Sequence, residues 1–376
     1  MNEFRRIHDA ATRLEAEGHP YALATLVKVE GSAYRRPGAR VLMGPDGATT
    51  GIISGGCLER EIAHHAAGVL RSGRPVVVQL AAARGEDLFG TGAGCGGTVH
   101  VLVQRIDPRE PAPRALDLLA QAAVSDHPHA LATVFRAEGN LAAEVGRHLL
   151  VGPDGATRGS VADPALREAL AHAGERALED GRPEALTLAL PGGEAEALVE
   201  RALAPVRLAV FGAGPDVEAL VRQGAAVGWH VTVVGTRPVA ELRAALPAAA
   251  EWVSLVHAEQ VAGRVRLTPR TAAVVTTHSY VRDRALVEAL LHSPAPYVGV
   301  IGSRQRFRDL LADLRGSGAP VATARRRLFG PAGLDLGAET PEEIALSVVA
   351  EAHAVLAARS ARPLRGPRRR RPATHR

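Results

Sequence analysis

Two cysteines are the whole thiol inventory of this 376-residue chain, and both sit among glycines. Cys57 follows Ser54-Gly55-Gly56, which reads as a tight turn. Apolar Leu58, Ile62 and Ala66 then recur every four residues, predicting a helix that Cys57 opens. A thiol on the first helical turn feels the partial positive charge of unpaired N–H groups. That lowers its pKa and favours the thiolate, the form that attacks sulfur or binds metal. The same spacing is compatible with a buried, inert cysteine acting as a small hydrophobe. Cys95 lies in Gly90-Thr-Gly-Ala-Gly-Cys-Gly-Gly97. Its glycines, Gly94, Gly96 and Gly97 among them, let the backbone approach a ligand and turn N–H groups toward an anion. The other reading of that stretch is a flexible connector.

The elements that must hold these residues read in order. A helix over 3–17 ends at Gly18-His19-Pro20, and 21–29 is a strand. Gly31 to Gly38 is a loop carrying Ser32, Tyr34, Arg35, Arg36 and Pro37, and a strand resumes over 40–43. Gly44-Pro45-Asp46-Gly47 has turn chemistry. The helix after Cys57 runs to about Ser72, and strands follow over 75–80 and 98–103.

The scaffold then repeats. Ala22-Leu-Ala-Thr25 recurs as Ala130-Leu-Ala-Thr133, and Glu30-Gly31 as Glu138-Gly139. Gly44-Pro-Asp-Gly-Ala-Thr49 recurs as Gly152-Pro-Asp-Gly-Ala-Thr157, and Gly73-Arg-Pro75 as Gly181-Arg-Pro183, every pair 108 positions apart. Constant register argues for two copies of one α+β unit, packed as a pseudo-symmetric pair. The second copy lacks the chemistry: Gly55, Gly56 and Cys57 align with Asp163, Pro164 and Ala165, and Arg35-Arg36-Pro37 with Ala143-Glu144-Val145. A site needed once fits that pattern.

Pro191-Gly192-Gly193 and Leu203-Ala204-Pro205 bound a linker region. Beyond them an apolar strand over 206–211 runs into Gly212-Ala-Gly214, a helix over 217–227 and a strand over 229–234. This is a βαβ unit with a glycine turn at a helix N-terminus, suited to a phosphate. As a dinucleotide fingerprint it is imperfect. Val217 takes the third glycine position, and Gly235-Thr236-Arg237 replaces the acidic residue expected after the second strand. Arg237 suits an extra phosphate instead. Further strands over 272–276 and 297–301 carry His278 and Ser303-Arg304 just past their carboxyl ends, where an open parallel sheet binds ligands. Thr340-Pro-Glu-Glu343 starts a last helix.

Composition bounds the class. An apolar fraction of 46% is ordinary for a globular chain of two or three domains. Two cysteines make no disulfide framework, the polar N-terminus has no signal core, and no apolar run nears the roughly 18 residues of a membrane span. The expectation is a soluble cytoplasmic protein with no membrane partner. Arg359 to Arg376 holds eight arginines and no acid, so the net charge of +5 leaves the body at −3. Composition favours a solvated, disordered tail over a nucleic-acid contact. Lys28 is the only lysine, which makes arginine the general cation here. There is no Gly-x-x-x-x-Gly-Lys-Ser/Thr, His-Glu-x-x-His, Cys-x-x-Cys or Gly-x-Ser-x-Gly.

Taken together, Glu30-Gly-Ser-Ala-Tyr-Arg-Arg-Pro-Gly38, Ser54-Gly-Gly-Cys-Leu-Glu59 and Gly92-Ala-Gly-Cys-Gly-Gly97 resemble the amino-terminal domain of the XdhC/CoxI family. Val210-Phe-Gly-Ala-Gly214, Pro296-Tyr-Val-Gly-Val-Ile-Gly-Ser-Arg304 and Gly333-Leu-Asp-Leu-Gly-Ala-Glu-Thr-Pro-Glu-Glu-Ile344 resemble its Rossmann domain. The motifs occur in the family's order and span all but the arginine tail. The resemblance implies a maturation factor for molybdenum hydroxylases such as xanthine dehydrogenase, rather than a turnover enzyme. It implies binding of the molybdenum cofactor (molybdopterin), help in exchanging an oxo ligand for sulfido with sulfur from a cysteine desulfurase, and delivery to the apo-enzyme.

On that reading Cys57 is the metal ligand or sulfur relay and Cys95 assists it. Ser54, Gly55, Gly56, Gly94, Gly96 and Gly97 cradle the cofactor, while Gly212, Gly214, Arg237, His278, Ser303 and Arg304 hold phosphate, pterin or a nucleotide. A second copy of the chain is a candidate partner. The expected fold is α/β: an amino-terminal α+β domain with internal duplication (1–107 and 108–204), a Rossmann-like domain (205–358) and the basic tail (359–376). The rival reading is an NAD(P)-dependent oxidoreductase built on the Rossmann domain.

Overall fold

Strand β1 (Tyr21–Glu30) is apolar from Tyr21 to Val27 except at Thr25, because both of its faces are covered there. Ala22, Ala24 and Leu26 pack with Ile62, Ala66 and Val69 of helix α2 (Glu59–Ser72). Tyr21 and Leu23 face the other way, into a layer shared with Leu131 and Leu150 of a second sheet and with helix α1 (Asn2–Ala16). A computed structural model gives this architecture for residues 2–56, 58–81, 97–110, 113–317, 319 and 326–365. Cys57, Cys95, Gly94, Gly96 and residues 366–376 lie outside the described residues.

The chain divides into two compact units, Met1–Ala204 and Pro205–Arg376. In the first unit, β2 (Arg40–Met43), β3 (Thr49–Gly51), β4 (Val76–Ala81) and β5 (Thr98–Ile106) join β1 in the order β3-β2-β1-β5-β4. Helix α3 (Ala115–Val124) leads into β6 (His129–Ala137), β7 (His148–Val151) and β8 (Thr157–Gly159). Helix α4 (Pro164–Asp180), β9 (Glu184–Leu190) and β10 (Gly193–Ala202) complete the second sheet. Its order, β8-β7-β6-β10-β9, is that of the first sheet, and all eight strand pairs are antiparallel. Helices α2 and α4 end alike, at Gly73 and Gly181 with φ of 70° and 76°, the left-handed cap that glycine adopts without a Cβ penalty.

Polar residues buried between the sheets also occur in matched places. Arg40 of β2 pairs with Glu200 of β10, and His148 of β7, 108 positions after Arg40, meets Gln104 of β5 at 3.3 Å. One pair is ionic and the other neutral. Burial, then the nearby charges of Arg40 and Arg147, push the His148 imidazole down to about 3, so it is neutral. Its Nε2 accepts from the Gln104 amide, leaving Nδ1–H to donate to the Thr133 hydroxyl at 3.1 Å.

The second unit is one sheet of parallel strands: β11 (Arg207–Phe211), β12 (His230–Gly235), β13 (Glu251–Ser254), β14 (Thr271–Val275), β15 (Tyr297–Val300) and β16 (Leu328–Phe329), ordered β13-β12-β11-β14-β15-β16. Two hydrophobic clusters flank it. One holds side chains of α7 (Val261–Arg264), α8 (Tyr280–Leu291) and α9 (Arg304–Gly316). The other is built on α5 (Val217–Ala226) and α10 (Pro341–Leu356). Covering on both faces explains the unbroken apolar runs of β11 and β14. Thr340 caps α10 as its sequence suggests, its hydroxyl accepting from the Glu343 N–H while the Glu343 carboxylate accepts from the Thr340 N–H. Strands β13 and β16 and helix α6 (Val239–Ala245) escape the sequence pattern because each is too short for its periodicity to stand out. Among the described residues no helix is long and apolar enough to cross a membrane.

Candidate functional site

The first sheet delivers its loops to one edge. Glu30 at the end of β1 and Ala81 at the end of β4 both pair with Thr98 at the start of β5, and Gly51 at the end of β3 pairs with Val41 near the start of β2. The loop 31–39, the turn after Gly51 and both flanks of the glycine-rich stretch therefore meet there. Gly97 is packed onto the loop: a Cβ would stand 2.7 Å from the Glu30 carbonyl oxygen and the Ser32 nitrogen, so only glycine fits.

Glu59 organises the turn. Its carboxylate folds back from α2 to accept from the N–H groups of Ile53 (2.9 Å), Ser54 (2.7 Å) and Gly56 (2.8 Å) and from the Ser54 hydroxyl. Ser54 Oγ in turn accepts from the Leu58 N–H at 2.8 Å. Burial opposes the Glu59 charge, but the hydrogen bonds from Ser54 and Ile53 prevail and hold its pKa below the usual carboxylate value. Two expectations change. The helix starts at Glu59 with Leu58 as its cap residue, and Gly55 and Gly56 stand at φ of 85° and 115°, outside helical backbone; the expected opening residue, Cys57, lies outside the described residues. And the N–H groups of Ser54 and Gly56 do not wait for a ligand anion; the chain's own carboxylate fills their nest.

The loop is braced from two sides. Arg35 donates to both oxygens of Glu3 at 3.0 and 2.5 Å, and Glu3 also accepts from the Ile52 N–H at 3.1 Å, so the start of α1 ties loop to turn. From beneath, Arg40 donates to the Gly38 carbonyl at 2.7 Å while paired with Glu200. Tyr34 is 66% exposed, with ring atoms within 3.9 Å of where a Cβ on Gly55 would stand. Tyr34, Arg35 and Arg36 line a cavity of about 410 Å³ beside Glu3 and Phe4.

In the second unit, Gly212, Gly214, Arg237 and His278 do gather. They line a crevice of about 420 Å³ at the carboxyl ends of β11, β12 and β14. A Cβ on Gly212 would collide with the Thr276 carbonyl. Arg237 donates to the Ala213 carbonyl at 2.8 Å. Ser303 and Arg304 do not line it: the Ser303 hydroxyl caps α9 by accepting from the Arg306 N–H at 3.1 Å. Asp216, which its sequence position did not single out, stands at the N-terminus of α5. It accepts from the Thr276 hydroxyl at 2.8 Å, contacts His278 Nε2 at 3.1 Å, and lies 2.6 Å from the Cβ position of Gly214. His278 holds a left-handed φ of 60° to make this contact.

A carboxylate therefore sits where a dinucleotide pyrophosphate would approach the glycine turn. Gly235 lacks the acidic side chain, and a Cβ there would press on the Leu242 methyl groups, the nearer at 2.8 Å. Both features weigh against NAD(P) at this turn. Glu59 and Asp216 are the two residues that sequence reasoning missed. Both are acids beside a glycine turn at a helix start, a visible signal whose direction only the fold gives.

Residues 208–352 match the XdhC Rossmann domain, and the XdhC and CoxI family matches twice, over 14–81 and 122–189, which is the 108-residue offset of the repeat. The chain is 31% identical over 356 residues to a probable xanthine dehydrogenase subunit of Bacillus subtilis (strain 168), covering 93% of this chain and 97% of that protein. Over 120 residues it is 29% identical to the molybdenum cofactor insertion chaperone PaoD of Escherichia coli (strain K12), covering 32% of this chain and 37% of PaoD. A crystal structure described as a xanthine dehydrogenase from Bacillus halodurans superposes with a TM-score of 0.73 at 25% identity, covering 98% of each chain. With both domain types matched in order on a duplicated scaffold, the chain belongs to the XdhC and CoxI family.

Proposed function

We propose that this protein is a maturation factor for a molybdenum hydroxylase of the xanthine dehydrogenase type. It takes the molybdenum cofactor as cargo at the loop edge of the first sheet and passes it to the apo-enzyme. Cys57 supplies the thiolate, a soft ligand for molybdenum or a relay for sulfur from a cysteine desulfurase during exchange of an oxo for a sulfido ligand. Cys95 assists.

One observation carries this reading: the same scaffold occurs twice, and only the first copy carries the chemistry at this edge. Strands β4 and β5 are joined there by sixteen residues, 82–97, whereas β9 and β10 are joined by Pro191 and Gly192 alone. The turn at Ser54–Glu59 and the loop at Tyr34–Pro37 are likewise replaced in the second copy. The names of the relatives, a xanthine dehydrogenase subunit and a cofactor insertion chaperone, supply the cargo and the client.

The test is co-expression with a molybdenum hydroxylase. The Cys57→Ala variant should purify folded yet leave the client's activity at the level seen without the factor. Undiminished activation would remove Cys57 from the mechanism.

A further inference from the structure

We propose that Arg36 reads the phosphate monoester of the bound pterin, an inference that rests on the cofactor reading above. The residue that occupies its place in the second copy shows why. Arg36 and Glu144 are 108 positions apart, and the turn that follows each is the same, although Glu144 ends a 3-10 helix (Gly139–Glu144) that the first loop lacks. The Arg36 carbonyl accepts from the Ala39 N–H at 3.2 Å, and the Glu144 carbonyl from the Arg147 N–H at 2.9 Å. Leu26 brackets the first loop through Gly38 and Ala39 as Val134 brackets the second through Gly146 and Arg147. The side chains then diverge. Glu144 turns onto the helix entry and accepts from the N–H groups of Ala162 (3.1 Å) and Asp163 (2.9 Å). In the first copy Glu59 performs that service from the helix side, so position 36 is released from it.

The released position carries a cation rather than a neutral side chain. Three arginines line the cavity at this loop. Arg35 is neutralised by Glu3 and Arg40 by Glu200, whereas no carboxylate among the described residues pairs with Arg36, which is exposed. Because Glu59 already fills the backbone nest, a ligand's anion needs a donor outside it. A guanidinium offers forked N–H donors matched to phosphate oxygens. The exposed ring of Tyr34, near Gly55 of the turn and lining the same cavity as Arg36, gives a flat apolar surface suited to a heteroaromatic ring.

The experiment titrates the full-length protein with two probes: a fluorescent oxidised pterin carrying its side-chain phosphate monoester, and the same pterin after phosphatase treatment. Wild type should bind the phosphorylated probe at least tenfold more tightly. Arg36→Met removes the charge, and Arg36→Glu installs the residue of the second copy. Both should lose that preference while binding the dephosphorylated probe as wild type does, which also shows that they are folded. A phosphate preference that persists in both variants, or is absent from wild type, overturns the role of Arg36 and leaves the cofactor reading standing. Wild-type protein that binds neither probe overturns both.

Discussion

The two copies in the first unit solve one structural problem in opposite ways. Each must lead a strand end into a helix that covers its sheet. The second copy uses standard capping: Asp163 accepts from the Leu166 N–H at 2.8 Å, Pro164 opens the helix, and Glu144 satisfies the preceding N–H groups. The first copy starts its helix three positions later in the shared register. It places two glycines at positive φ and pulls Glu59 back as a plug. The second solution is closed and ordinary. The first holds its turn in a shape that capping alone would not select, and that difference supports the proposed site independently of the motifs.

The comparison can be broken by making the copies alike. Replacing Ser54-Gly55-Gly56-Cys57 with Ala-Asp-Pro-Ala, together with Arg36→Glu, should lengthen α2 by nearly a turn in far-UV circular dichroism. It should keep or raise the melting temperature and abolish activation of a co-expressed hydroxylase. Retained activation would mean that the open turn is incidental.

The buried pairs between the sheets test whether the ends of the pseudo-dyad are interchangeable. Glu200→Gln leaves the Arg40 charge buried without a counter-ion and should cost about 3–5 kcal/mol in denaturant unfolding. Adding Arg40→His recreates the pair of the other end and should recover most of that loss. No recovery would show that Arg40 is needed for its hold on the Gly38 carbonyl.

At the neutral end, the folded-state pKa of His148 lies below its unfolded value. The unfolded chain therefore binds more protons between pH 6.5 and 3, and stability falls as pH falls through that window. At pH 4 this amounts to roughly 3 kcal/mol, from about 1.4 kcal/mol per pKa unit. His148→Gln should flatten the pH dependence of urea unfolding there, and an unchanged slope would place the acid sensitivity elsewhere.

The smallest effect is at the plug. Glu59→Gln keeps the shape but sets an amide against donors, costing about 1–3 kcal/mol, with the loss confined to hydrogen-exchange protection at Ile53, Ser54 and Gly56.

Much of this was legible in the sequence, and the exceptions have a common cause. Periodicity and register gave the duplicated scaffold and the βαβ unit, because burial on one or two faces writes itself into residue type at every position. The constant offset also exposed the loss of Cys57 and its glycines in the second copy. What stayed hidden were side-chain directions. Glu59 reads as an ordinary acid in a first helical turn, and nothing in its spacing says that it turns back onto Gly56. Asp216 likewise drew no notice just ahead of its helix, where it makes no capping bond and faces Thr276 and His278 instead. Ser303 shows the converse, a residue expected in the crevice that is used as a cap.

The central claim is that cargo binds at the open edge of the first copy through Cys57. The most direct measurement is the molybdenum content of full-length protein purified from a host that makes the cofactor, compared between wild type and Cys57→Ala at matched melting temperature. The account predicts metal near one atom per chain in wild type and background in the variant; equal metal in both would contradict it.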